Sequence, residues 1–431
     1  MNSNLSRRNF VMASAAGLTS ALASSRAYGA NEKIRIGVIG TGNRGGQIIE
    51  RAQPHSHAEI TALCDVYEPH LNEWKEKLGG TPTTFNDYRA LLDAKICDAI
   101  MIATPDHWHA LQTIHACEAG YDVYCEKPLS FTIVEGRKMV ETARRTNRIV
   151  QVGMQRRSSA MYAEIRDLVQ NDRIGKVVLA RAYRLSNMWP NGMGKAQDAA
   201  PPADLDWDMW LGPRPVRPYR ENIAPYRFRW WKEYSSQMTN WGVHYFDLLR
   251  WLMNEEHIES VSTHGGRFVV DDDRTIPDTM EATFEFASGR LMLFGQYEAA
   301  GNPMLPEGAE IELRGTKGTL YARTGRYWIV PEAGGQFQDK EPRTDPAEAK
   351  SDTVDPTIAH IGNWLECIKS RGLPCADVEI GHRSVTIAHL GNIALEMRAR
   401  IAWDAEQERI TSPESANEHL HYDYRAPWTL G

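Results

Sequence analysis

The sequence has no excess of positive charge, no CxxC pair, no internal repeat and no apolar run of the length a bilayer requires. Each absence removes a class of function. A formal net charge of −7 leaves little to neutralise a phosphate backbone or an anionic membrane surface, so nucleic acid is not an expected partner. The six cysteines are Cys64, Cys97, Cys117, Cys125, Cys367 and Cys375, and none has the Cys–Cys or Cys–His spacing of a metal site. No metal and no structural disulfide are therefore expected. The N-terminal apolar stretch, Val11 to Ala23, falls short of the roughly 20 residues that a spanning helix needs.

What is present is the composition of a soluble globular protein, 42% hydrophobic and 24% charged, in a chain of 431 residues that suffices for two domains. The 13 Trp and 16 Tyr are a heavy load, and aromatic rings beyond those a core absorbs stack well on sugar rings. Residues 1–30 do not read as fold. Ser6-Arg7-Arg8-Asn9-Phe10-Val11 has the twin-arginine pattern, an apolar run follows, and Ser25-Arg26-Ala27 offers small residues where a signal is cleaved. The expectation is export by the twin-arginine route to the periplasm or beyond, with no membrane span in the mature form. That route carries folded proteins, so buried thiols stay unpaired despite an oxidising destination.

From residue 31 to 153 strands and helices alternate. Ile34–Ile39, Glu59–Cys64, Ala99–Ala103, Asp122–Cys125 and Ile149–Val152 read as strands; the run at 99–103 is almost wholly apolar, as a strand covered on both faces must be. Helices are expected from His107 to Glu118 and from a capping box at Thr132 and Glu135 to Arg145. Alternation of this kind predicts a parallel, doubly wound Rossmann sheet. Beyond Gly153 the pattern changes. A helix over 160–170 and a strand over 177–185 lead into an irregular stretch, 186–226, rich in Pro and Trp, which is expected to wall a pocket. Hairpin signals at Ser288-Gly289 and Gly315–Gly318, a polar surface excursion at 331–356 and two amphipathic helices follow. The expected class is α/β: the Rossmann domain, then an α+β domain over 154–402 with an open, largely antiparallel sheet, then a tail over 403–431.

Gly40-Thr41-Gly42-Asn43-Arg44-Gly45 is a GxGxxG turn between a strand and a helix. Its glycines permit the tight turn, the approach of a pyrophosphate, and close packing of helix on strand. Asp65 ends the second strand, where an acid binds ribose hydroxyls and repels a 2′-phosphate, so NAD is favoured over NADP. Thr104-Pro105 and Glu126-Lys127-Pro128 end later strands at the same ligand-binding edge. His107 and His109 stand two apart, which on a helix separates them and argues against a shared metal; His109 is expected to pack near the cofactor. A Lys at position 127 reaches towards a nicotinamide and can take a hydroxyl proton once its pKa is lowered.

These elements, with Thr104–His109, Val152–Arg157 and Asn240-Trp241-Gly242-Val243-His244-Tyr245-Phe246-Asp247, make the chain resemble the Gfo/Idh/MocA oxidoreductases, the family of glucose–fructose oxidoreductase and inositol dehydrogenase. The resemblance spans both domains. It implies that Lys127 is the catalytic lysine, that His244 is the acid/base or orienting histidine, and that Gln155 joins Glu126 and the glycine loop around the cofactor. Where the family often has Asp, this chain has Asn240, which hydrogen-bonds a hydroxyl but takes no proton at neutral pH; proton transfer then falls to Lys127 or His244. Arg156, Arg157, Tyr183, Trp189, Arg229, Trp230, Lys232 and Asp247 are candidates to meet the substrate, Asp247 by orienting His244. The expected reaction is hydride transfer between a sugar or polyol hydroxyl carbon and a tightly held nicotinamide cofactor in a homo-oligomer, dimer or tetramer. Two alternatives share the site: a redox-neutral glycosidase or lyase that works through a transient keto-sugar, and a sugar-binding relic that has lost its chemistry.

Overall fold

The structure is a computed structural model that describes residues 33–351 and 355–431. The twin-arginine segment lies outside the described residues. Residues 34–431 form one compact unit.

The first half is a six-stranded sheet in which every pairing is parallel. Its elements run β1 (Ile34–Ile39), α1 (Asn43–Ala52), β2 (Ala58–Cys64), α2 (Glu68–Lys77), β3 (Thr83–Phe85), α3 (Tyr88–Asp93), β4 (Ala99–Ile102), α4 (His109–Glu118), β5 (Asp122–Cys125), α5 (Ile133–Arg145) and β6 (Val150–Val152). The strand order is β3-β2-β1-β4-β5-β6, so the chain reverses its direction of winding between β1 and β4. A crevice opens there beyond the carboxyl ends of the strands, which is where such sheets bind ligands. β4 and β5 are buried along their whole length, consistent with their apolar composition. Thr132 and Glu135 make both bonds of the expected capping box on α5.

The second half is a ten-stranded sheet that follows α6 (Ala160–Gln170). Its strands are β7 (Val177–Leu185), β8 (Ile258–Gly266), β9 (Thr279–Phe286), β10 (Leu291–Tyr297), β11 (Ile311–Gly315), β12 (Gly318–Arg323), β13 (Arg326–Pro331), β14 (Ala347–Lys350), β15 (Ile401–Asp404) and β16 (Arg409–Ser412). Only β7 and β10 pair in parallel. Strict alternation sends Ala180, Ala182, Met280, Phe284, Met292 and Phe294 inward against α8 (Val243–Met253) and α10 (Val378–Met397). The other helices are α7 (Trp207–Leu211) in the irregular stretch and α9 (Thr357–Ser370).

Three expectations need correction. The excursion at 331–356 contains β14, which adds an edge to the sheet. Residues 403–431 are no detached tail: β15 and β16 extend the sheet and Trp428 packs on Trp108 of the first half, because Ile401, Trp403 and Ile410 are apolar and have a core to join. Asp106–Trp108 is a 3-10 turn that leads into α4, which starts only at His109; such turns are frequent at helix N-termini. All six cysteines are unpaired, five of them buried. Among the described residues no helix is long and apolar enough to cross a membrane, and no cluster of His, Cys, Asp or Glu could hold a metal ion.

Candidate active site

The crevice begins at the glycine turn. Gly40 has φ +83°, and a Cβ on Gly45 would lie 1.9 Å from the Gly40 carbonyl oxygen, so neither position accepts another residue without moving the backbone. Gly42 caps α1 without a side chain, and no acid stands in the first turn. The free N–H groups and the positive end of α1 therefore face the crevice, as a pyrophosphate requires. Asp65 closes the ribose end. Its carboxylate accepts from the Thr41 N–H at 2.7 Å and the Tyr67 N–H at 2.9 Å, with His70 at 3.6 Å.

Gly40, Gly42, Asn43, Arg44, Asp65, Thr104 and Pro105 line a cavity of about 930 Å³, its open mouth included. The opposite wall is Met209, Trp210, Pro225, Tyr226, Phe228 and Arg229 from the irregular stretch. That stretch is fastened over the crevice. Asp206 N–H donates to the Val66 carbonyl at 2.9 Å, and the Trp210 carbonyl accepts from His107 at 2.9 Å and Trp108 at 3.0 Å. An uncapped helix, a cradle closed to any Cβ, an acid at the ribose end and an apolar cover fit a nicotinamide dinucleotide.

Lys127 follows β5. Its Nζ donates to the backbone carbonyl of Asn240 at 2.8 Å and to Asn240 Oδ1 at 3.0 Å. Asn240 sits on a π-helical turn, Met238–Gly242, that opens α8; such turns insert an extra residue and aim groups out of the helix ladder. Burial lowers the Lys127 pKa to about 8, against the pull of Glu126; Arg229 and Arg44, both on the cavity wall, press in the same direction as burial. Burial also holds His244 well below the ordinary histidine value, and the charges of Lys127, Arg156 and Arg44 add to this. The site thus offers an amine that changes charge near pH 8 and a neutral imidazole.

Several expected residues support the site from behind the cavity wall. Glu126 receives Arg44 Nε at 2.8 Å and its neighbour's N–H at 3.2 Å, which ties the glycine loop to the strand end bearing Lys127. His109 is not on the cavity wall either. Its ring nitrogens face two carbonyls, Pro128 at 2.6 Å and Thr104 at 2.9 Å, so only the doubly protonated ring satisfies both. Burial opposes that charge, but Cys125, Asp106 and the Pro128 carbonyl together raise the pKa to about 9. Gln155 heads a 3-10 turn after β6, its Oε1 buried without a protein partner. Arg156 donates to Glu310 at 2.7 Å and stacks on Tyr245 at 4.7 Å, beside His244 in sequence.

Five of the candidate substrate residues have other partners or other places in the fold. Asp247 does not orient His244, because Arg157 takes both of its oxygens at 2.8 and 2.9 Å and Ser384 donates at 2.9 Å; Arg157 and Asp247 form a buried pair. Tyr183 lies on the outer face of the sheet, stacked on Tyr297, since alternation along β7 turns it away from α8. Trp189 is 61% exposed, its backbone N–H donating to the Asn187 side chain at 3.2 Å. Lys232 lines a different hollow and lies 3.8 Å from Glu396. Arg229 is on the cofactor side, while Trp230 donates to Glu298 at 3.1 Å. Among the residues that sequence reasoning missed, Arg184 stacks on Trp241 at 3.9 Å beside Asn240, and buried Asp106 accepts from Ser235 at 2.5 Å.

The fold and site define a dinucleotide-dependent oxidoreductase. The chain belongs to the Gfo/Idh/MocA oxidoreductase family: the NAD-binding Rossmann fold of that family matches residues 34–154 and its C-terminal alpha/beta domain matches residues 160–430. The myo-inositol 2-dehydrogenase of Thermotoga maritima is 27% identical over 299 residues, which are 69% of this chain and 77% of the relative. Two solved structures have the same fold. The scyllo-inositol dehydrogenase of Lactobacillus casei, with NAD(H) and scyllo-inositol, is 19% identical with TM-score 0.62, and the alignment covers 86% of this chain and 99% of that one. The WlbA dehydrogenase of Bordetella pertussis, with NADH and UDP-GlcNAcA, is 21% identical with TM-score 0.63 over the same shares.

Proposed function

We propose that this protein is an exported dehydrogenase of a sugar or polyol hydroxyl that keeps its NAD as a bound group. The observation that carries the reading is Lys127, an amine ionising near pH 8, held by Asn240 just beyond the carboxyl end of β5, on the ligand-binding edge of the parallel sheet. NAD bound there supplies the acceptor for the two electrons that leave the carbinol carbon. Lys127 in its neutral form takes the hydroxyl proton, and the neutral His244 ring orients the hydroxyl by hydrogen bonding. Asn240 holds the amine without titrating. The polyol substrates of the inositol dehydrogenase relative and of the solved neighbour support this substrate class.

The apolar cover supports retention of the cofactor, which export demands, because free NAD is not supplied outside the cytoplasm. A retained cofactor is regenerated in place by a second carbonyl compound. The outer face of the ten-stranded sheet, with Val178, Leu291 and Val330 exposed, supports assembly into a homo-oligomer. The test is to denature the purified mature protein and assay released NAD(H) and NADP(H). A panel of inositols and sugars is then offered with and without a carbonyl acceptor. Near-stoichiometric NAD(H), and turnover that rises with acceptor, are expected. An empty protein that binds no added NAD overturns the reading in favour of a sugar-binding relic. Release of an aglycone without net change in the cofactor overturns it in favour of the redox-neutral cycle.

A further inference from the structure

The π turn that presents Asn240 to Lys127 also anchors a buried polar chain. Lys127 Nζ donates to Asn240 Oδ1 at 3.0 Å. Asn240 Nδ2 donates to Gln237 Oε1 at 3.4 Å, the longest link. Gln237 Nε2 donates to Glu298 Oε1 at 2.8 Å. Glu298 receives Trp230 Nε1 as well, at 3.1 and 3.2 Å, and Arg274 Nη1 at 2.5 Å; Arg274 is wholly buried and is held in turn by Asp272.

While Lys127 is protonated, the two ends of this chain have fixed character. An ammonium only donates, and a carboxylate paired with a buried guanidinium only accepts. Each carboxamide between them has one donating and one accepting end. Only one orientation of both amides satisfies every link. Glu298 demands the Gln237 NH2, which leaves Gln237 Oε1 for the Asn240 NH2, which turns Asn240 Oδ1 to Lys127. Reversing Gln237 sets its oxygen against the Glu298 carboxylate where both are buried, and reversing Asn240 sets oxygen against oxygen in a half-buried place; an unpaired polar group is costly in either.

We propose that Gln237 and Glu298 are positioning residues for Lys127: the carboxylate of Glu298 sets the direction of the amide chain and so fixes an acceptor oxygen against the lysine amine. The inference rests on the reading of Lys127 as the proton acceptor. It also gives a reason for Asn at 240. A carboxylate there would have no hydrogen to give Gln237 Oε1, and it would add a negative charge 3.0 Å from the amine. The chain and the asparagine therefore act together, giving Lys127 a fixed but neutral partner.

The ionisation of Lys127 can be followed without any substrate. Acetic anhydride is pulsed at a series of pH values onto the full-length protein, and acetylation at Lys127 is quantified by peptide mass spectrometry. Gln237→Met keeps the volume but frees the Asn240 amide, so the ammonium keeps the Asn240 backbone carbonyl but loses its fixed side-chain acceptor, and the midpoint falls. Asn240→Asp adds charge, so the midpoint rises. Each displacement is expected to be about half a pH unit or more. Glu298→Gln, which removes the direction of the chain at constant size, is expected to lower the midpoint if Gln237→Met does not fold. In the dehydrogenase assay the acidic limb of the pH–rate profile should follow the same shifts. A merely structural role lowers the rate at every pH and leaves the midpoint in place. Midpoints for Gln237→Met and Glu298→Gln that both coincide with wild type would overturn the proposal, whatever Asn240→Asp does through its added charge. Displaced midpoints in a protein that oxidises nothing would uphold it and overturn the dehydrogenase reading instead.

Discussion

At residue scale the site depends on which groups carry charge and where. Lys127 loses its proton near pH 8, so alcohol oxidation should rise through about pH 8 and carbonyl reduction should fall over the same range. A stopped-flow pH series with retained cofactor checks this. Lys127→Ala should cost on the order of a thousandfold in turnover at the optimum, within the usual range for a positioned proton acceptor. Asp247 and Arg157 make the contrasting case. Their pair is 2% and 8% exposed, and removing one partner strands the other charge. Asp247→Ala should therefore cost about 3–5 kcal/mol in urea unfolding while leaving the substrate KM of the folded fraction unchanged. A raised KM with undiminished stability would return Asp247 to the substrate. The residues misread in the sequence show the limit of reading side chains singly. Tyr183 has the right chemistry, yet Ala180 and Ala182 mark the inward face of β7, and the same parity selects Arg184. That signal was present and needed only the period-2 rule. Arg157–Asp247 had no local signal, because the two meet across 90 positions.

At the scale of elements, the glycine turn, the strand ends and the capping box were legible because each rests on neighbours in sequence. The π turn at Met238–Gly242 was not. One extra residue in a helical ladder leaves the apolar pattern of α8 nearly unchanged, yet it decides that the Asn240 carbonyl meets Lys127. His109 shows the same division: the sequence placed it near the cofactor, while its role is to bridge the loops after β4 and β5. Its folded pKa, about 9, lies above the ordinary 6.5. The stabilisation it gives is therefore complete below about pH 6.5 and lost as pH rises through about 9. Thermal melts of wild type against His109→Gln should differ most at pH 6 and converge by pH 10. A difference independent of pH would show that the ring is neutral.

At the scale of the molecule, the two-part architecture was legible because alternating strands and helices give way to hairpins. The joining of the last 29 residues, 403–431, to the rest was not, since nothing in a short segment with scattered apolar residues names a distant partner. Arg425 bonds the Gly212 carbonyl at 2.9 Å and Asp208 at 2.5 Å, Tyr424 donates to Glu135 at 2.6 Å, and Trp428 packs edge-on against Trp108 at 4.9 Å. Together they pin the cover of the crevice to the nucleotide-binding half. Removal of residues 421–431 should speed exchange of bound NAD for a fluorescent analogue by about tenfold or more, the loss of a few such contacts being worth at least 1.4 kcal/mol; an unchanged exchange rate would locate retention elsewhere.

This fastening has a consequence for the order of events in synthesis. Arg425 emerges from the ribosome 217 residues after the Asp208 it secures. A chain growing at about 5–20 residues per second completes the Rossmann half well before that fastener exists. The nucleotide crevice therefore spends on the order of ten seconds or more folded but unsealed, within reach of the cytoplasmic nucleotide pool. On the proposed reading, loading is easiest in this interval, before Arg425 and Trp428 fasten the cover.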